Sequence, residues 1–445
     1  MLQLKLLNKL YIRGVVVSKR NNDAFILGAA LFSMFFGAGN LIFPPFLGLL
    51  AGQKWNWSMF GFFITGIGLP LLGIIASAKA GGDVDKLGRR VSPLFSKFLG
   101  ITVVLAIGPL LAIPRTGATA FEMAILPNIP NANPIIFAMI YFGIGLILVI
   151  KPNNVIDKIG KVLTPALLLL LGLIIIKGIF DPMGMPIPED LAKPFSDGFI
   201  SGYQTMDALA SILFGGIITT SLIQSGYSDI KEQMNMTKKA GLIAVGGLTL
   251  VYGGLGYLGA TGGSLFSKDI TKVDLIMNIA SNSLQRYGEI GLGLVVALAC
   301  LTTTIGLIAT VGQYFSNITK GKLKYEWVVI ATTIFSAIMS IKGVESIIVF
   351  SEPILIFMYP VVIVMILLTI ILGNKPNNNI YKHAIYATLI VSTLEILNMF
   401  GIWPYVTQIV KLLPLASWGL AWVVPAALGG IVGKMIPNKI ETQIN

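Results

Sequence analysis

One cysteine and one histidine in 445 residues rule out much chemistry at the outset. A lone Cys300 allows no disulfide framework and no cysteine-based zinc site. His383, in a polar stretch beside Asn377, Asn378 and Asn379, allows no histidine-dependent triad and no multi-histidine metal centre. Gly160-Lys161, Gly321-Lys322 and Gly433-Lys434 are none of them followed by Ser or Thr, so no phosphate-binding loop and no direct coupling to ATP are expected. Charge is scarce too, at 12% of residues against about 25% in soluble domains. That is too little polar surface to enclose a water-soluble body of this size. Leu2 to Val17 lacks a continuous apolar core, because Lys5, Lys9 and Arg13 break it, so it does not read as a cleavable signal. A basic surface helix, a plain tail and an upstream start codon all stay open for it. No enzymatic activity is expected from this inventory.

What is abundant is apolar: 55% of residues are hydrophobic. Runs of about 20 apolar residues recur from end to end, each long enough to cross a hydrocarbon core of ~30 Å. In lipid such runs must be helical, since every backbone donor and acceptor needs an internal partner. Gly, Pro, Asn and charged punctuation divides the chain into about twelve spans: 24–51, 57–80, 97–124, 134–150, 158–180, 196–226, 237–260, 286–317, 326–342, 345–373, 380–402 and 411–434. With the N-terminus inside, 23 Lys and Arg fall in inner loops, 8 in outer loops, and Arg115 within a span. This asymmetry predicts a multi-pass protein of the cytoplasmic membrane with both termini cytoplasmic, and explains the net charge of +12 without nucleic acid. The expected organisation is a tail at 1–22, one membrane domain at 23–434 and a tail at 435–445. The outer loop Thr261 to Gln285 carries its own helical stretch, Lys272 to Leu284, which reads equally as a lid or a surface connection. Glycines number 49, about one residue in nine, and mainly report close helix packing. Gly254-Leu-Gly256-Tyr-Leu-Gly259 matches a dinucleotide fingerprint but lies in an apolar span with no strand before it, so it too reads as packing.

The polar residues inside the spans are few and clustered. The first span holds Phe35-Phe36-Gly37-Ala38-Gly39-Asn40-Leu41-Ile42-Phe43-Pro44-Pro45. Two glycines weaken a helix and two prolines remove backbone donors, so the span is expected to break near mid-membrane. Amides freed by such a break attract a carboxylate, and freed carbonyls attract a small cation. The sixth span repeats the irregularity with Tyr203-Gln204-Thr205-Met206-Asp207, where Asp207 lies deep in an apolar run. It reads as a partner for a cation, a carrier of a coupling proton, or an ion-pair partner of Arg115. Arg115 itself is expected in a structural or gating ion pair with Asp207, Glu122 or Glu352, ahead of meeting a substrate carboxylate. Thr302-Thr303-Thr304 offers neutral oxygens of the kind a weakly bound sodium requires, or hydroxyls that bond the preceding turn. Glu352 and Glu395 are open to proton handling or to interfacial ion pairs.

Four motifs carry a resemblance: FFGAGNLIFPP (Phe35 to Pro45), IGPLLAIPRT (Ile107 to Thr116), GYQTMDALA (Gly202 to Ala210) and CLTTTIGL (Cys300 to Leu307). The chain from about Asp23 onward resembles the bacterial branched-chain amino acid:cation symporter family of the BrnQ type; residues 1–22 fall outside the likeness. The resemblance implies an all-α membrane protein of LeuT-type fold. Two inverted five-helix repeats, about 24–180 and 196–373, would be followed by peripheral helices at about 380–434. It implies import of leucine, isoleucine and valine with sodium, or with protons through Asp207 or Glu352. Backbone amides of Ala38, Gly39 and Asn40 would hold the substrate carboxylate, and Tyr203, Thr205 and Asp207 would receive its amine. Carbonyls near Ser33 and Phe36 with hydroxyls of Thr303 and Thr304 would ligate sodium, with Thr302 and Thr303 as an alternative register. An apolar pocket discriminates poorly among these amino acids, since one methylene is worth only about 1–3 kcal/mol.

Overall fold

The computed structural model describes residues 22–82, 84–150, 155–188, 191–373, 377–402 and 404–436. Side chains at 84, 155–164 and 404 fall outside that description, as do nearly all of the expected tails, 1–22 and 435–445. Every regular element among the described residues is helical.

The first span is two helices, α1 (Asn22–Phe35) and α2 (Ala38–Ala51). The second is α3 (Trp55–Phe63) and α4 (Leu69–Lys79), joined through a wide turn at Ile64–Gly68. A short α5 (Val84–Arg89) leads to the third span, built from α6 (Pro93–Leu105) and α7 (Ala112–Ala120). Gly108 leaves helical geometry between them (φ −95°, ψ −121°), and Pro109 withholds a donor there. The fourth and fifth spans are α8 (Pro134–Ile150) and α9 (Val155–Phe180). The sixth is broken again, into α10 (Pro194–Ser201) and α11 (Asp207–Gln224). The seventh is α12 (Ile230–Thr261).

The next helix, α13 (Lys272–Ile318), bends at Gln285 (φ 54°, ψ −150°), which separates the predicted loop helix from the eighth span. α14 (Tyr325–Ser340) and α15 (Val344–Leu372) are parted by a turn at Gly343, whose φ of +81° suits a residue without a Cβ. α16 (Asn378–Met399) follows, then a short α17 (Pro404–Leu412) and α18 (Val423–Met435). The predicted twelfth span, 411–434, is thus not one helix. Leu415 and Gly419 turn left-handed around Ala416–Trp418, after Pro414 has removed a donor, and only α18 remains.

The packing is reciprocal. α2 of the first span lies against α12 of the seventh, while α10 and α11 of the sixth lie against α3 and α4 of the second. Span one meets seven as span six meets two, which is what an inverted repeat produces. Small residues permit the approach: a Cβ at Gly48 would overlap the Gly256 carbonyl, and one at Gly259 the Pro45 carbonyl. Gly256 and Gly259 therefore act in packing. On the outside, Leu169, Ile176, Met139, Ile147, Leu250 and Ile338 are more than half exposed, giving an apolar belt that suits lipid rather than water.

Candidate functional site

The first interruption falls at Phe36-Gly37, ahead of the two prolines. The Phe36 amide still donates to Phe32 O at 2.8 Å, closing α1. Gly37 is extended (φ −116°, ψ −175°), and α2 starts at Ala38. The amides of Ala38, Gly39 and Asn40 occupy the first turn of α2, where a helix supplies no carbonyl to receive them. Pro44 and Pro45 sit inside α2 without breaking it. Their missing N–H groups instead leave the Asn40 and Leu41 carbonyls without the usual donor four residues on.

The second interruption has another form. After α10 the chain tightens into a 3₁₀ turn, Gly202–Thr205, and Met206 turns left-handed (φ 62°, ψ 6°) before α11 begins at Asp207. The Met206 amide donates to Tyr203 O at 3.0 Å, and the Thr205 hydroxyl donates to Gly202 O at 2.9 Å. The Asp207 amide donates to Thr205 Oγ1 at 3.3 Å, so Thr205 spans the break.

Side chains join the two breaks. Asn40, 1% exposed, accepts from the Gly37 amide at 3.2 Å, which fixes its amide plane. Its Nδ2 donates to Asp207 Oδ2 at 2.5 Å and to the Tyr252 hydroxyl at 2.6 Å. Asp207, 6% exposed, is therefore held by the first span and by charge at the start of its own helix. From α7, Arg115 Nη1 donates to Gln204 O at 2.7 Å, and Gln204 Oε1 accepts from Ser351 at 2.8 Å. Tyr203 stacks on Tyr359 with ring centroids 4.3 Å apart. Ala38, Gly39, Asn40, Tyr203, Thr205 and Asp207 are thus brought to one buried region where the two breaks meet.

The expected ion pair of Arg115 is not formed. Among the described residues no carboxylate lies within salt-bridge distance of it. Asp207 uses its oxygen on Asn40, Glu122 caps α15 by accepting from the Val344 amide at 2.8 Å, and Glu352 points outward from α15. The kink at Gly108 aims α7 so that Arg115 reaches a freed carbonyl instead.

The threonines separate. Thr304 is fully buried, 2.5 Å from Thr116 Oγ1 and 2.9 Å from the Tyr141 hydroxyl, so it ties α13 to α7 and α8 and does not face α1. Thr302 and Thr303 both donate to Ala299 O, at 2.9 and 3.0 Å. Thr303 also lines a cavity of about 10 Å³ with Phe36, Gly37, Ala38, Ala299 and Cys300, enough for one water-sized species beside the first break. A 100° step per residue parts Thr303 from both Thr302 and Thr304, and of the three only Thr303 lines this cavity.

A much larger cavity of about 640 Å³ opens where the ends of the third span, the loop helix and the α14–α15 turn meet. Glu122, Asp274, Glu289 and Glu345 line it. Glu345 caps the loop helix, accepting from the Lys272 amide at 3.0 Å and from Lys272 Nζ at 2.8 Å. These three connections all belong to the outer set in the charge-based topology, and they share one face. Sequence reading missed Tyr252, Thr116 and Tyr141; nothing local distinguishes them from other polar or aromatic residues in apolar helices.

The Branched-chain amino acid transport protein family model matches residues 20–440. The branched-chain amino acid permease BraB of Bacillus subtilis is 39% identical over 93% of this chain and 95% of its own. A putative branched-chain amino acid carrier protein of Staphylococcus saprophyticus is 38% identical over 95% and 98%. Among solved structures, Mhp1, a nucleobase-cation-symport-1 family transporter in a closed conformation with bromovinylhydantoin bound, superposes with a TM-score of 0.62. It is 12% identical and covers 92% of this chain and 91% of that one. MhsT in complex with L-phenylalanine gives 0.56 at 17% identity, covering 92% and 96%. These two share the LeuT-type fold with this chain.

Proposed function

This chain belongs to the branched-chain amino acid transport protein family, whose members are transporters and not enzymes, and on that premise we propose that it imports leucine, isoleucine and valine by sodium-coupled symport with alternating access. The observation that carries the reading is the juxtaposition of two interrupted helices, tied side chain to side chain by Asn40 and Asp207. In this reading the amides of Ala38, Gly39 and Asn40 receive the substrate carboxylate. The carbonyls around Tyr203 and Thr205, with Asp207, receive its ammonium, and apolar groups surround the side chain.

The coupling sodium is a transported ion, and the residues beside the first break fit one. Carbonyls near Ser33 and Phe36 end α1, while the Thr303 hydroxyl donates to Ala299 O and keeps its lone pairs for a ligand. The small cavity lined by Phe36 and Thr303 has room for one water-sized species. One charge crossing 100 mV supplies about 2.3 kcal/mol, enough for roughly fifty-fold accumulation before any sodium gradient is added. Asp207 favours a second reading in which a proton replaces sodium, since it is a carboxyl group buried at the breaks.

Proteoliposomes separate the two. Sodium and proton gradients are imposed independently, and leucine uptake is followed at fixed pH. Saturable accumulation that follows sodium is expected. Uptake indifferent to sodium but driven by pH would transfer the coupling role to Asp207, and passive flux would end the symport reading. In this reading the acidic cavity opens outward and both termini lie in the cytoplasm, which protease accessibility of tagged ends would test.

A further inference from the structure

Arg115 is a guanidinium buried in a membrane span with most of its donors unspent. It is 4% exposed, so far less water reaches it than reaches a surface arginine. One of its five N–H groups meets Gln204 O. No carboxylate lies within salt-bridge distance among the described residues, and Asp207 acts on it only through space. The Phe43 ring, with its centroid 5.8 Å away, is a weak partner at best. A charge so placed is costly unless an anion completes it.

The direction of the free donors is given by Gly39. A Cβ built there would lie 2.7 Å from Arg115 Nη2 and 3.3 Å from Gln204 O. The guanidinium therefore rests against the first turn of α2, beside the amides of Ala38, Gly39 and Asn40. Two independent features converge on that spot: a helix start with unpaired amides, and a buried cation with unpaired forks. Both ask for the same ligand, a planar anion with two oxygens. At the second break stands Asp207, a buried carboxyl group held by Asn40.

We propose that Arg115 is a binding residue that engages the α-carboxylate of the amino acid directly, together with the α2 amides, rather than a structural ion-pair partner. With Asp207 at the second break, the site presents a positive and a negative group to a zwitterion. It selects α-amino acids over amines, alcohols or amides of the same side chain. Arg115 spends one donor on Gln204 O so that the other face of its fork stays open, and Gly39 is small because a side chain would push the fork away. The inference rests on the amino acid transport reading and extends it to the group that discriminates zwitterions.

The test compares leucine with leucinol, in which a hydroxymethyl group replaces the carboxylate, by calorimetric titration of the purified full-length protein. Wild type is expected to prefer leucine at least 100-fold. In Arg115→Gln that preference should fall below 10-fold because leucine weakens while leucinol does not. Arg115→Lys keeps the charge and loses the fork, so an intermediate preference is expected. A preference unchanged in both variants, or leucine and leucinol weakened in parallel, overturns the assignment. Should Arg115→Gln not fold, Arg115→Lys decides alone by the same ratio. A wild type that binds neither ligand refutes the transport reading itself, whereas a leucine-binding wild type with an unaltered ratio in the variants refutes only the role of Arg115.

Discussion

The two interrupted spans meet the same requirement by different means. The first opens with one extended glycine, and the prolines that advertise it stay inside the second helical piece. The sixth opens with a 3₁₀ turn and a left-handed methionine, and contains no proline at the break. The first break presents amides; the second presents carbonyls, one of which already holds Arg115. Asn40 and Asp207 then lock the donor-rich break to the acceptor-rich one. The difference teaches that a helix can be opened by removing a side chain or by a costly backbone turn, provided neighbouring spans receive the freed groups.

The comparison can be broken most strongly at Gly39. Gly39→Leu should weaken leucine binding at least 100-fold, because a side chain there displaces the Arg115 fork and covers the α2 amides. Equilibrium binding on purified protein reads this directly, and retained affinity would show that the first break does not hold the carboxylate.

The threonines come next in size. Thr303→Ala should raise the sodium concentration for half-maximal uptake by about tenfold, since a lost ligand to a charged group is worth about 1.5–3 kcal/mol. Thr304→Ala should leave that concentration nearly unchanged while lowering thermal stability, because Thr116 and Tyr141 lose a buried partner. Equal effects of the two on sodium dependence would return Thr304 to the ion.

The lock between the breaks sharpens the comparison at a smaller scale. In a double-mutant cycle of Asn40→Ala and Asp207→Asn, the two changes should be coupled by about 0.5–3 kcal/mol in thermal or chemical unfolding. Additive effects would mean that the Asn40–Asp207 contact carries no energy of its own. The smallest effect is expected at the loop helix. Lys272→Met removes a partly exposed ion pair with Glu345, worth about 0–1 kcal/mol and weakened by salt. Faster hydrogen exchange confined to Lys272 to Leu284 is the readout, and unchanged exchange would make that contact incidental.

Much of this was legible in the sequence. The spans followed from apolar length, and the two breaks from Gly37, Gly39 and a carboxyl group at Asp207. What failed to show were the partners. The Gly-Pro cluster announced an opening but not that it would fall at Phe36-Gly37, since a proline at position seven of a helix can be tolerated when neighbours accommodate the freed carbonyl. Leu415 and Gly419 divided the last span where Pro414 supplies no amide donor to continue a helix, a detail that hydropathy averages away.

The sequence by itself determined that this is a many-span helical protein with two weak points, because hydrophobic length and helix-breaking residues act locally. Only the tertiary structure decided that Asn40 meets Asp207 and Tyr252, that Arg115 finds a carbonyl and not a carboxylate, and that Thr303 rather than Thr304 faces the first break. Those choices join residues 89 positions apart and more. They depend on how kinked helices cross, which no local pattern encodes.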